Sequence, residues 1–370
     1  MDEWVFIALL HNLSVKTALG NEYISVASMT DPRVEELRSR SSAFCQLLGH
    51  FTDQFQRPVQ PSLLLLRRDV SPDFDSLRAF RNALAFSCIV KAWEGIIAYG
   101  IQGEHLRFSN YLDFYPYTLS KDEQYLLVHT SSQFGADDPS RFQGQSSPEL
   151  VRLWQHDDFY DETLFHAILE LWTNRYVRRK TREWRTLALF RSLEMAYRAS
   201  AAPQLHMYDY GAQLALWVSA FEILVHPKTD KADLERVLHI LGQSAFIQPR
   251  LKQRLYPVVL GRKRTKTRVN LIQKTYYEMY SCRNDFLHGN PVSFSKLFPA
   301  KNPTYHSLLP CAVLIYKCAL MVFLKIFGQL PDCDVSELND LSEEKIKEMV
   351  RLSMCQSYVE RALLNMRTPK

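Results

Sequence analysis

The chain has 370 residues, 46% apolar, 12% aromatic and 23% charged, enough apolar material for two domains with cores of their own and too much for a disordered chain. Its 12 glycines form neither GxxxxGK[ST] nor GxGxxG, which argues against nucleotide binding through a glycine-rich phosphate loop. The net charge of +5 is concentrated: residues 249–274 hold nine Lys and Arg and no acid, and the remaining chain has more acids than bases. Such a local excess suits a phosphate backbone or an acidic surface, or else forms a solvated face.

In chain order, the first 148 residues are expected to form a mixed α/β domain. Trp4–Leu10 and residues 62–66 are short apolar runs that read as buried strands. Asp31-Pro32 opens a helix expected to run to Phe51, with proline in its first turn. A second helix is expected over Phe74–Tyr99. Gly100-Ile101-Gln102-Gly103 matches the GxxG of KH domains, a four-residue pattern at a helix end. Residues 111–117 and 124–130 read as two paired strands, and 134–148, dense in Gly, Ser, Gln, Asp and Pro, as a linker.

From 149 to 370 the pattern turns helical, predicting an all-α bundle with helices near 149–176, 180–200, 208–226, 230–245, 265–288, 303–328 and 342–366. The expected fold class is therefore α+β overall, a mixed α/β domain at 1–148 followed by a helical bundle at 149–370. Residues 308–327 are apolar enough to test for a membrane span, but Lys317, Lys325 and Pro310 favour a buried bundle helix. Seven cysteines without a CxxC pair suggest neither a disulfide framework nor a zinc ribbon. Met1-Asp2-Glu3 is acidic where a secretory signal would be basic. A reducing cytoplasm is the expected location.

The most informative stretch runs from Tyr276 to Gly289; together with the residues before it, Val269, Ile272, Tyr276, Met279, Tyr280 and Leu287 share one helix face. Arg283 falls within that stripe, Asn284 and His288 lie together at its edge, and Gly289 is suited to end the helix in the left-handed conformation. On an ideal helix Arg283 and His288 stand about 140° apart, so both reach one phosphate only through the long arginine side chain or an unwound last turn.

Arg283-Asn284-Asp285-Phe286-Leu287-His288 resembles the Rx4–6H pattern of the HEPN (higher eukaryotes and prokaryotes nucleotide-binding) ribonucleases, with asparagine in the usual polar slot. The wording Tyr-x-x-Arg-Asn-x-x-x-His-Gly looks most like the Apea-like branch found in bacterial defence proteins. Trp217 to Leu224, an apolar helix carrying the single acid Glu222, also fits that branch. The resemblance covers roughly 180–330, within the helical context.

What it implies is metal-independent cleavage of single-stranded RNA, without a cofactor. The 2′-OH loses a proton as it attacks phosphorus and the 5′-oxygen gains one as it leaves; His288 can serve either role. Arg283 presents a donor fork to the phosphoryl oxygens, Asn284 holds the phosphate or His288, and Glu222, if near Arg283 as in the family, aims the guanidinium. One histidine per chain and a need for both base and acid imply a two-fold homodimer with facing pairs. Arg262, Lys263, Arg264, Lys266 and Arg268 are the candidate RNA-binding residues. The resemblance implies a toxin or anti-phage effector whose N-terminal domain senses or regulates, with an antitoxin that restrains it or a phage-derived trigger that releases it as a further partner.

The alternatives are a non-catalytic HEPN-fold module that binds RNA or dimerises, and an Arg and His that merely meet the last carbonyls of their helix. His156, Asp158, Glu162 and His166 form a weaker metal-site candidate, since the last three repeat every four residues; acids there equally suit a helix N-terminus. A second basic run, Arg175, Arg178, Arg179, Lys180, Arg182 and Arg185 with Tyr176 and Trp184, suits single-stranded RNA or a solvated helix face.

Overall fold

The computed structural model describes residues 3–10, 13–49, 51, 57–71, 73–99, 112–114, 117–120, 122–129, 134–136, 159–179, 183–201, 206–231, 233–261, 264–297, 307–328 and 342–366. They form two compact units. One comprises Met1–Arg81, Arg107–Phe159 and Trp172–Arg179, the other Asn82–Leu106, Tyr160–Leu171 and Lys180–Lys370. The boundary expected at 148 lies outside the described residues.

In the first unit, β1 (Trp4–Leu10), β2 (Leu19–Gly20), β3 (Ile24–Ala27) and β4 (Ser62–Arg67) make one antiparallel sheet in the order β1-β4-β3-β2. β4 has a strand on either side and is buried through Leu66, which is why its sequence is continuously apolar rather than alternating. The helix expected from 32 to 51 is two: α1 (Pro32–Arg40) and α2 (Ser42–Gly49). Asp31 caps the first by accepting from Arg33 N at 2.9 Å. Ser41 is extended at φ −126°, ψ 109° and its Oγ accepts from Phe44 N at 3.1 Å, so it stops one helix and starts the next. Val34, Leu37, Phe44 and Leu47 pack with Phe6, Leu63 and Leu65 in a single core.

α3 (Phe74–Tyr99) has the bounds read from sequence. After it, β5 (Tyr117–Leu119), β6 (Leu126–His129) and β7 (Phe134–Ala136) form a second antiparallel sheet. The strand expected at 111–117 therefore begins where that range ends. Residues 134–136, expected in a linker, are a strand, because backbone pairing to β6 places Gly135 opposite Val128 whatever the side chains. Residues 137–148 and the GxxG at 100–103 lie outside the described residues.

The second unit is mainly helical: α4 (Glu162–Trp172), whose last residue and the π-turn after it at Thr173–Val177 belong to the first unit; α5 (Trp184–Ala201); α6 (Met207–Leu224); α7 (Leu234–Gly242); α8 (Pro249–Gln253); α9 (Leu271–Leu287); α10 (Phe294–Leu297); α11 (Leu308–Phe323); and α12 (Glu343–Met366). It is not all-α. β8 (Tyr256–Leu260) and β9 (Thr265–Val269) form an antiparallel hairpin, so the helix expected from 265 starts six residues later. Thr265-Lys266-Thr267-Arg268-Val269 alternates β-branched and basic residues with period two, a strand pattern obscured by its charge. At the centre, Tyr316 of α11 packs against the rings of Phe86, Trp217 and Phe221 at 5.0–5.7 Å and its hydroxyl bonds Ser192. α11 is buried through almost its whole length, Lys317 included. No helix among the described residues is long and apolar enough to cross a membrane.

Candidate functional site

α6 and α9 carry the candidate residues. The ring of Phe221 lies 4.8 Å from that of Tyr276, and Gly211 lies against Phe286, whose Cδ1 would be 2.5 Å from a Cβ at that position. Ten residues back along one helix correspond to ten forward along the other, so the pair is antiparallel, and Gly211 allows the close approach.

α9 is built firmly at both ends. At its start Asn270 and Gln273 exchange bonds of 2.9 Å in a capping box, and Gln273 Nε2 donates to Leu238 O at 2.7 Å. At its end His288 is the C-cap residue, its N–H bonded to Asn284 O at 3.0 Å; Gly289 has φ +67°, and Asn290 N–H reaches back to Asp285 O at 2.9 Å. The left-handed glycine expected at 289 is thus present, and the chain turns off the helix beside the histidine.

Arg283 is held from two sides. Nη1 donates to Asn284 Oδ1 at 2.9 Å and Nη2 lies 3.8 Å from Glu222 Oε2, the two side chains 21% and 22% exposed. Its guanidinium stands 5.6 Å from the ring of Tyr280. Nε is buried without a hydrogen-bond partner, as is the hydroxyl of Tyr276. Burial pushes the Glu222 carboxyl above its ordinary value, with Arg283 opposing. Burial, reinforced by the Glu222 charge, pushes the Tyr276 phenol well above its own. The result is a cluster in which Tyr276 is fully buried while Glu222 and Arg283 each keep about a fifth of their side chains exposed.

The His288 side chain is exposed and makes no hydrogen bond or ion pair among the described residues. Lys296 at 2.7 Å and Asn290 at 3.1 Å hold the neighbouring Asp285 below the ordinary carboxylate range. The fold therefore brings Arg283, Asn284 and Glu222 together, and Asn284 bonds the arginine and not the imidazole.

Of the basic candidates, Arg262 and Lys263 lie outside the described residues. Arg264, Lys266 and Arg268 are exposed on the β8–β9 hairpin, at the start of α9, whereas His288 is at its end. At 1.5 Å per residue the 17-residue helix is about 25 Å long, so Arg268, two residues before its N-cap, and His288, at its C-cap, sit at opposite ends, and closeness in sequence is not closeness to the motif. Leu287, expected on the packed face, is 59% exposed because it is the last residue of the helix. Sequence reasoning missed Tyr208, 85% exposed: continuing the antiparallel register of α6 and α9 brings it level with Gly289. It also passed over Tyr276 as core; an unpaired phenol next to a carboxylate becomes visible only when two helices meet.

The weaker candidates come apart. Glu162 is 3.7 Å from His166 and 2.9 Å from Arg351, so it has an arginine partner already. Burial holds His166 below its ordinary value, and His156 and Asp158 lie outside the described residues. The second basic run divides between the two units: Arg178 bonds Asn174 at 3.3 Å, Arg185 donates to Phe323 O at 2.6 Å, and Lys180 and Arg182 lie outside the described residues.

Searched against family models, curated proteins and solved structures, the chain matches none.

Proposed function

We propose that this chain is a metal-independent endoribonuclease of HEPN type that cleaves single-stranded RNA through 2′-OH attack, acting as a toxin or anti-phage effector. The observation that supports it most is the mounting of Arg283. A guanidinium held by Glu222 and Asn284 and still about a fifth exposed is organised to meet a phosphoryl group as its charge grows. An exposed imidazole five residues on, at a helix end where the chain opens to solvent, can exchange protons with ribose or leaving oxygen. Because one chain offers one such histidine while the reaction needs both a base and an acid, the reading includes a homodimer in which the histidine of one copy works with the arginine of the other. The first unit takes the sensory or restraining role, with an antitoxin or phage product as trigger.

The test is to incubate the purified chain with single-stranded RNA in EDTA beside His288→Ala and Arg283→Ala. Wild type should release 2′,3′-cyclic phosphate ends, and each variant should lose roughly 10²–10⁴-fold in rate. Cleavage that persists in both variants, or vanishes with EDTA, refutes the proposal. A second reading, a non-catalytic RNA-binding or dimerising module, is favoured by the lack, among the described residues, of any bond between the His288 imidazole and Arg283 or Asn284; binding without cleavage would select it.

A further inference from the structure

The start of α9 carries a cavity of about 310 Å³ lined by Ser244, Leu251, Lys252, Arg268, Asn270 and Gln273. Asn270 and Gln273 spend their polar groups on their own capping box and on the carbonyls of Leu238 and Leu241. Two cations remain. Lys252 from α8 and Arg268 from β9 are exposed and, among the described residues, the side chain of neither makes a hydrogen bond or ion pair. Ser244 Oγ in the same wall is buried and without a partner.

The arrangement is rigid where it matters. Arg268 pairs in register with Pro257, and its neighbour Val269 is 5% exposed, so the strand is anchored directly beside the arginine. Leu251, 2% exposed, anchors the short helix beside Lys252. Lys266, two residues before Arg268 and exposed, extends the positive charge along the same face of the hairpin. A protein that only needed solubility would neutralise or scatter these charges; here two unpaired cations from separate elements converge on one concavity with a spare hydroxyl.

We propose that this cavity is a phosphate-binding site that holds a backbone phosphate of a single RNA strand about 25 Å from His288, the length of α9. The inference rests on the endoribonuclease reading for the identity of the strand, and it deepens it. The substrate would be anchored at one end of α9 and presented at the other, so short oligonucleotides would reach only one of the two places. Charge neutralisation by Lys252 and Arg268 supplies affinity without base preference.

The experiment measures binding of fluorescein-labelled single-stranded oligonucleotides to the full chain carrying His288→Ala, with and without Lys252→Gln and Arg268→Gln together. A decanucleotide should bind the doubly neutralised chain several-fold more weakly, with the slope of log affinity against log salt reduced by roughly 1.4, two contacts at about 0.7 each. A trinucleotide that competes at the Arg283 end should be unaffected. Lys252→Arg with Arg268→Lys should restore the decanucleotide, separating charge from fold. Calorimetry with inorganic phosphate alone tests the other source of the same chemistry: phosphate binding that the Gln pair abolishes, with decanucleotide affinity unchanged, would overturn the strand assignment. Unchanged slope and no phosphate binding would overturn the site altogether. Cleavage assayed separately keeps the two proposals apart, since a chain that binds as expected but never cuts defeats the nuclease reading and leaves this site standing.

Discussion

The second unit contains two carboxylate–cation groupings that look alike in composition and differ in every physical respect. Lys317 is 0% exposed, with Glu94 Oε1 at 2.5 Å, Asp161 Oδ2 at 2.6 Å and Cys355 O at 3.3 Å, so all three of its donors are used. Arg283 is about a fifth exposed, its ion pair is long, and one of its donors is unused. A sealed, saturated cluster can only hold elements together, here α3, α11, α12 and the residue preceding α4. A guanidinium that keeps about a fifth of its side chain exposed can still act on something outside the chain. Burial depth and donor count, more than residue type, separate scaffold from candidate machinery.

The largest expected effect is Lys317→Met, which leaves two carboxylates facing each other without a cation in a dry core. Breaking a buried pair in this way costs about 3–5 kcal/mol, and urea unfolding should show it. Arg283→Met, in contrast, should change stability by about 1 kcal/mol or less while removing cleavage. Equal destabilisation by the two variants would erase the distinction between the clusters.

Next comes the pH dependence of the buried cluster. Burial raises Glu94 from 4.5 to about 7 against the pull of Lys317, whereas Lys317 outweighs burial at Asp161 and holds it below its ordinary value. The native state thus keeps a proton on Glu94 that the unfolded chain releases. Stability from this group is full below about pH 4.5 and declines as pH rises to about 7, by on the order of 3 kcal/mol. Asp161 works in the opposite sense and loses its contribution only in acid. Glu94→Gln should flatten unfolding free energy between pH 5 and pH 7; a decline as steep as in wild type would place the titration elsewhere.

At the exposed cluster the sharper test is Arg283→Lys beside Arg268→Lys. A lysine cannot span Glu222 and Asn284 and still offer a flat fork to a phosphate, so a roughly hundredfold loss of cleavage, about 2.7 kcal/mol, is expected. At Arg268, which makes no fixed contact, a point charge suffices, and rate and binding should stay within about twofold. Matching losses at both positions would mean that Arg283 also acts only as a charge.

How much of this was legible beforehand follows the same division between local and non-local causes. Phe74–Tyr99 and the end of α9 at His288-Gly289 are encoded locally, by apolar periodicity and a glycine that accepts positive φ, and both were readable. The break at Ser41 was missed because an Ser-to-backbone bond competes with an apolar pattern that continues unbroken. The hairpin at 256–269 was missed because its basic residues drew attention away from its alternation. The pairing of Arg283 with Glu222 could be expected only from a family resemblance, since 61 residues separate them. The distance between the basic hairpin and His288 was invisible: a helix converts nearness in sequence into a separation of its own length.

The smallest effect concerns the contact that sets α6 against α9. Gly211→Ala adds a methyl that would sit 2.5 Å from Cδ1 and 2.7 Å from Cγ of Phe286. These are ring atoms near the backbone, and they yield only if the ring or the helix moves. Overpacking of this kind costs roughly 1–3 kcal/mol, while replacing a mid-helix glycine returns up to about 1 kcal/mol of propensity. The clash should win, leaving a net loss of about 1 kcal/mol by urea unfolding. Phe286 is two residues from His288, so the same variant should lower cleavage more than its stability loss explains, and Gly211→Ala with Phe286→Leu, which removes the clashing ring, should recover both. Recovery of stability without recovery of cleavage would show that Phe286 itself, and not the approach of the helices, positions the end of α9.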